Sequence, residues 1–549
     1  MEEQASEIEL TKRGVLRAGL GIGAGSALSR PVAARPEPSP GPVAVTNDAR
    51  PGSRKFESPG SPSRAAYRAL AAVERQVTQR SGSSDFDRTV NAVEYLGLGS
   101  NDAVNEALER ADAAGDLDGV RLRFPAGTYR VADDVNISPA GPFGIVGPRA
   151  VFRVDPGVRC ELNVHTGSRG LFEGFTIDQR ADRAAVSLLL ETDDHIDARG
   201  LTFRGPVEAV GDDQQALVRP VATSREASVR IENLRAVGGT NAGSHAWVRP
   251  ESPPPGHVAG GVPGAFVGES NVGVVQFVEP VLHGWENGLY ASRTPGAVQV
   301  VGGTFVNNNN TAVRISGAES FCDGATVVLD AGRWPDGRPG RFTIGEIQGV
   351  SGVRSETGPL NKEGARFRNL DVRARRLDRC PGLVVYDGSA ATGRMHNCRL
   401  TNDIDGTPAV RIDEPGTGPH PASTGPQAIR MDRIEIRGSA TGGPAVSGTD
   451  ARPNTVLADS CVRLPGAGPA SIVGVTTRNV GYGADCTASQ GTDGPVGAPP
   501  GTPEVRDLTV RPPSPDPGLS GLGLLVAAGA LVSFGTATLV PALRDRLRK

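Results

Sequence analysis

The sequence predicts an all-β chain wound into a solenoid, a parallel β-helix, on three observations. Composition is the first: 73 Gly and 44 Pro with only 4% aromatic and 38% hydrophobic residues describe many turns around an ordered interior. The second is a recurring unit of short alternating strand, polar turn and short strand. It is seen in "FEGFTID", "IDARGLTF", "VRIENLRAV", "VQVVGGTF", "FRNLDVRA", "MHNCRLTN", "IRMDRIEI" and "LADSCVRL", at spacings typical of repeat architectures. The third is a series interleaved with the first: "NGLYAS", "TAVRISG", "GLVVYDG", "PAVRID" and "PAVSGT". Strands this short cannot pair within one unit, so each coil must hydrogen-bond to the next. An array of immunoglobulin-type sandwiches would repeat at about 100 residues, and no such period is present.

The elements follow in chain order. In residues 1–34, "TKRGVLRAGLGIGAGSAL" sets a basic pair before a short apolar, glycine-rich run, the layout of an export signal. It resembles a twin-arginine signal, with Lys12 where the first arginine is usual. Residues 35–84, rich in Pro, Gly, Ser, Ala and Arg, read as a flexible leader. The body, 85–490, opens with "NDAVNEALERADAAG", where Val104, Ala107, Leu108 and Ala111 share one face of a helix. "GVRLRFPAGTYRV" follows with Val120, Leu122 and Phe124 alternating as in a half-buried strand. Four asparagines, Asn307–Asn310, separate two alternating runs. Asparagine tolerates the left-handed backbone of a sharp corner and can bond to its like one coil away, so these residues read as a corner.

Residues 491–517 read as a Pro/Gly-rich linker. Residues 518–543 carry no charge and are long enough to span a bilayer with some tilt. Arg544, Arg546, Arg548 and Lys549 close the chain as a basic cytoplasmic tail. The expectation is an exported body outside the cell, anchored by a C-terminal transmembrane helix.

The helix leading into "VRLRFPAGTYRV", then "GIVGPRAVFRV" and "GLFEGFTID", resembles the start of the pectate-lyase-like, right-handed parallel β-helix proteins. There a helix caps the coil and the next strand begins it. The resemblance covers about residues 85–486 and implies the fold. For activity it implies a range: polysaccharide lyases, glycoside hydrolases, epimerases, phage tailspikes and noncatalytic surface proteins.

A formal charge of −3 and a pI near 6.2 give no reason to expect a nucleic-acid partner. The six cysteines show no zinc spacing. In an exported chain an even count favours disulfides, buried thiols being the alternative. Cys380 with Cys398, and Cys461 with Cys486, are each separated by about one coil. "NIS" at Asn136 and "NNT" at Asn309 are glycosylation sequons. No HExxH, GxSxG or P-loop pattern is present.

Glycoside cleavage needs two carboxylates. "GDDQ", with Asp212 and Asp213, resembles the Asp-Asp motif of polygalacturonase-like hydrolases, but its companion GHG and RIK motifs are absent. These two are the catalytic candidates, with solvated turn aspartates as the plain alternative. No cofactor is called for; a lyase would add calcium on acidic side chains. Sugar binding needs an aromatic platform with polar groups beside it. Trp285, Glu286 and Tyr290 in "HGWENGLY", with Trp247 in a long insertion, are the substrate-binding candidates, and a tryptophan shielding the core fits the pattern equally. The function expected is contact with cell-surface polysaccharide, as an enzyme or as a noncatalytic structural or adhesion protein.

Overall fold

A computed structural model of the 549-residue chain describes residues 59–80, 86–207, 216–239, 262–330, 351–357, 364–377, 380–417, 421–422, 425–484 and 486, the side chains of 74–80 excepted. All lie in the first of two units, Met1–Leu508 and Thr509–Lys549. The stretch 518–543 is outside the described residues; among those described, no helix is long and apolar enough to cross a membrane.

Three parallel sheets wrap one core. Sheet A has 14 strands, from Arg88–Asn91 to Thr476–Arg478. Sheet B has 13, from Gly127–Val131 to Gly481–Tyr482, and sheet C has 12, from Val135–Ile137 to Ile472–Val473. The chain visits A, B and C in turn and pairs in parallel with the coil before and the coil after. This is the parallel β-helix, and the two sequence series are its sheet A to B corner and its sheet C.

The corner between sheets A and B explains the first series. One residue per coil takes a left-handed conformation there, such as Gly174 (φ 78), Asn233 (φ 54), Asn369 (φ 51), Asn397 (φ 50) and Asn479 (φ 51). Asparagine and glycine pay little for that backbone. Asn397 donates its amide to Asn369 Oδ1 (2.6 Å), and Asn369 donates to Asp323 Oδ1 (2.8 Å), so the column is cross-linked.

Asn307–Asn310 do form a corner, the one between the sheet B strand Thr304–Val306 and the sheet C strand Thr311–Ile315. Asn307 and Asn308 bond to backbone groups of neighbouring coils. Asn307 Oδ1 accepts from Asp330 N–H (2.7 Å), Asn308 Oδ1 accepts from Trp285 N–H (3.1 Å), and Asn308 Nδ2 donates to the Leu282 carbonyl (3.1 Å).

Among the described residues three α-helices accompany the sheets: α1 (Arg64–Arg80), α2 (Ala92–Leu96) and α3 (Val104–Ala113). The expected capping helix is α3, whose Val104, Ala107 and Leu108 enter the core over the first coils. Within 35–84, read as a flexible leader, Arg64–Arg80 form helix α1, while 35–58 and 81–84 lie outside the described residues. Ala66, Ala69, Leu70 and Val73, spaced i, i+3, i+4, i+7, are buried. Ser63 caps the helix by accepting from Ala66 N–H (3.1 Å).

Of the expected disulfides, Cys461–Cys486 is present, with Cα atoms 5.8 Å apart. Cys380 and Cys398 are free, as are Cys160 and Cys322. The reason is phase. Val384 and its register partner Val410 lie 26 positions apart, whereas the two cysteines are 18 apart. Cys380 precedes a sheet C strand and Cys398 follows the A to B corner, so they occupy different edges of the coil. Burial pushes the Cys160 and Cys398 thiols up to about 12.

A candidate ligand-binding face on sheet C

Strand register builds the site. On the outer face of sheet C, Phe266, Tyr290, Arg314, Arg354, Val385 and Arg411 stand in one column, one residue per coil. Alternation then sends Leu289, Val313, Val353 and Val384 into the core. The Phe266 and Tyr290 rings meet edge to face at 5.3 Å. The Arg314 guanidinium lies 4.4 Å from the Tyr290 ring centroid and that of Arg293 lies 5.7 Å away, within reach of a cation–π attraction.

Carboxylates hold this column in place. Arg314 makes a two-point ion pair with the fully buried Glu356, through Nη2 to Oε1 and through Nε to Oε2 (3.0 Å). Arg354 Nε is 3.0 Å from Glu356 Oε2, and Arg354 Nη2 donates to Asp387 Oδ2 (2.5 Å). Burial works against charge on Arg314, but Glu356 outweighs it and holds the guanidinium protonated. Burial likewise opposes ionisation of Asp387, and Arg354 with Ser389 more than compensates, drawing its carboxyl below the usual range.

Glu286 differs. Burial raises its carboxyl above the ordinary value, although the Asn310 amide (3.5 Å) and Arg314 pull the other way. Asn310 also donates its backbone N–H to the Glu286 carbonyl (2.6 Å), which fixes the turn. The face thus offers a half-buried aromatic pair, guanidinium groups held by carboxylates, and a carboxyl beside an amide. Such a surface suits a ligand with ring faces and many hydroxyls.

The structure separates the sequence candidates. Glu286 and Tyr290 come together here. Trp285 does not join them: it is 0% exposed, and its indole N–H donates to the Ala236 carbonyl (3.1 Å). With no exposed ring surface it cannot stack on a sugar, and that role is corrected to a core residue. Asp212, Asp213 and Trp247 lie outside the described residues. Of the two sequons, Asn136 is exposed, whereas Asn309 is 0% exposed and so is not accessible for glycosylation in the folded chain. Phe266, Arg314, Arg354, Glu356 and Asp387 were not singled out from sequence. Aligning "NGLYAS", "TAVRIS" and "SGVRSE" on their central residues would have shown the column. A separate cleft of about 530 Å³ opens at the capped end, beside Asp102, Tyr129, Arg130, Arg153 and Asp155, and contains none of these residues.

No protein-family model matches the chain, and no curated protein matches it. Among solved structures it is similar to Geobacillus virus E2 ORF18, at 12% identity over 73% of this chain and 65% of that one, with a TM-score of 0.35. It is also similar to the Streptococcus pneumoniae surface protein and adhesin PfbA, at 12% identity, 72% and 97% coverage and a TM-score of 0.36. A third is the Agl-KA catalytic domain, at 11% identity, 73% and 69% coverage and a TM-score of 0.30. The chain spans just under two thirds of the first of these. Likenesses this distant carry no functional weight. What stands of the pectate-lyase-like resemblance is the parallel β-helix with three sheets.

Proposed function

We propose that this chain binds polysaccharide along the outer face of sheet C, as an exported surface protein held at the membrane by residues 518–543. The observation that supports the reading is the convergence of Phe266, Tyr290, Arg314, Glu286 and Asn310 on one face. Sugar rings would pack against the aromatic pair while hydroxyls bond to Glu286 and Asn310. Each such bond adds about 1 kcal/mol, so affinity accumulates over several sugar units. On this face Glu356 and Asp387 are occupied by arginines, whereas glycoside hydrolysis needs a pair of available carboxylates, so the reading for sheet C is binding; it does not bear on Asp212 and Asp213, which lie outside the described residues. Affinity electrophoresis of the full chain through gels containing neutral or acidic polysaccharides tests this. Retardation should weaken about tenfold in Tyr290→Ala and persist in Tyr290→Phe. Unchanged retardation in both Tyr290→Ala and Phe266→Ala, or none in the wild type, overturns the reading.

A further inference from the structure

The outer face of sheet C is rich in arginine, and strand register shows how that charge is balanced. Arg219 stands one residue after Val218, whose partner is Ala265, so it extends the column of Phe266, Tyr290, Arg314, Arg354, Val385 and Arg411 by one coil. Each arginine of that column is matched by a carboxylate. Arg219 lies 3.4 Å from Glu161, Arg314 pairs with Glu356, Arg354 with Asp387 (2.5 Å) and Arg411 with Asp413 (2.5 Å). A guanidinium engaged in this way has little left to offer a charged ligand.

Arg293 is different. It sits in the turn just after the strand Asn287–Ala291, half-buried, with its guanidinium 5.7 Å from the centre of the Tyr290 ring. It makes no ion pair or hydrogen bond among the described residues, and its Nε is buried without an acceptor. Glu269, in the corresponding turn of the coil before, is exposed and does not reach it. A buried donor left unmatched is costly and calls for an explanation. Contact with the Tyr290 ring accounts for where the guanidinium lies but uses none of its N–H donors. Little negative charge on the face stands against an anion. Glu161, Glu356, Asp387 and Asp413 are engaged as above, and Glu286, bonded by the Asn310 amide (3.5 Å), has its neutral carboxyl favoured by burial.

A guanidinium is a planar fork that grips an oxyanion through two parallel bonds, and this one stands beside a ring on which a sugar can pack. We infer that Arg293 makes the sheet C face selective for glycans bearing an anionic substituent, a carboxylate or a sulfate ester, which it pairs with while the substituted sugar ring packs on Tyr290. The inference rests on the reading of sheet C as a polysaccharide-binding face, and adds the class of glycan and the residue that selects it. The chain's formal charge of −3 does not supply such a preference, since it opposes polyanions at long range.

Affinity electrophoresis of the full chain through matched polymers tests this: dextran, carboxymethyl dextran and dextran sulfate, then hydroxyethyl cellulose, carboxymethyl cellulose and cellulose sulfate. The wild type should be retarded at about tenfold lower concentration of an anionic derivative than of its neutral parent, and added salt should shrink that advantage. Whether the carboxymethyl or the sulfate polymer leads identifies the substituent. Arg293→Gln should melt as the wild type does, keep its retardation by the neutral parent and lose the advantage, and Arg293→Lys should keep part of it. A wild type that treats derivative and parent alike, or an advantage that survives in Arg293→Gln, refutes the selection and leaves binding by sheet C standing. Equal loss of retardation by neutral and anionic polymers in Arg293→Gln also refutes it, because Arg293 is then a general contact. No retardation of the wild type by any of these polymers overturns binding by sheet C, and this inference with it.

Discussion

The guanidinium of Arg452 donates to the backbone carbonyl of Ala391, 61 positions earlier, at 3.0 Å. The same side chain, 1% exposed, reaches the Asp413 carbonyl (2.8 Å) and the Asp387 carbonyl (3.1 Å). One planar fork thus ties loops from three coils, a task that a lysine, with its single nitrogen, cannot perform. Arg452→Met, close in volume, should lower unfolding free energy by about 3 kcal/mol, since it strands three buried carbonyls. Arg452→Lys should recover only part of that. Equilibrium denaturation checks both.

Trp285→Ala is expected to cost about 3–5 kcal/mol, because it opens a cavity and leaves the Ala236 carbonyl without its donor. Polysaccharide affinity, measured below the melting transition, should change far less than in Tyr290→Ala.

Acid sensitivity should concentrate at Asp197. Burial opposes its ionisation, but His195, whose Nε2 is 3.4 Å away, and Arg199, at 2.9 Å, outweigh it and bring its carboxyl down to about 2. A carboxyl lowered on folding adds stability above its unfolded pKa, and that stability is lost as pH falls through the folded value. About 2 kcal/mol should therefore disappear between pH near 4 and pH near 2. Asp197→Asn should flatten that part of a stability curve measured by denaturant titration.

Reduction should affect the last coil first. The Cys461–Cys486 bridge closes a loop of 25 positions, and opening such a loop costs about 3 kcal/mol in the chain-entropy account. Native alkylation should leave Cys160, Cys322 and Cys398 unmodified, and all four free thiols should react once the chain is denatured. Mass spectrometry reads both.

The coil was legible because its grammar is local. Period-two alternation and a glycine or asparagine at each left-handed corner repeat within a few residues, as in "FRNLDVRA" and "MHNCRLTN". The candidate face was legible only in Glu286 and Tyr290. Tyr290 and Arg314 are 24 positions apart, but Arg314 and its register partner Arg354 are 40 apart. The insertion between them breaks the period, and with it the visible column. The sequence left Trp285 open between platform and core, since its partner Ala236 lies 49 positions away across another insertion. Helix α1 carried a helical apolar stripe, masked by the Pro, Gly and Ser around it.

The docking of Gly60, Ser63 and helix α1 on sheet A also sets an order of events as the chain leaves the ribosome. Ser63 and Asp323 are 260 positions apart, and the Asn369 carbonyl that receives Gly60 comes later still. Coils can stack as they emerge, each on the one before. Residues 60–70 cannot settle until the coils carrying Val301, Phe321 and Asn369 exist. Their docking is a late, long-range closure, and the entropy of so large a loop makes it slow relative to coil stacking. A nascent chain halted before Phe321 would therefore present Val278 and Val301 without their full cover, the form most open to chaperones.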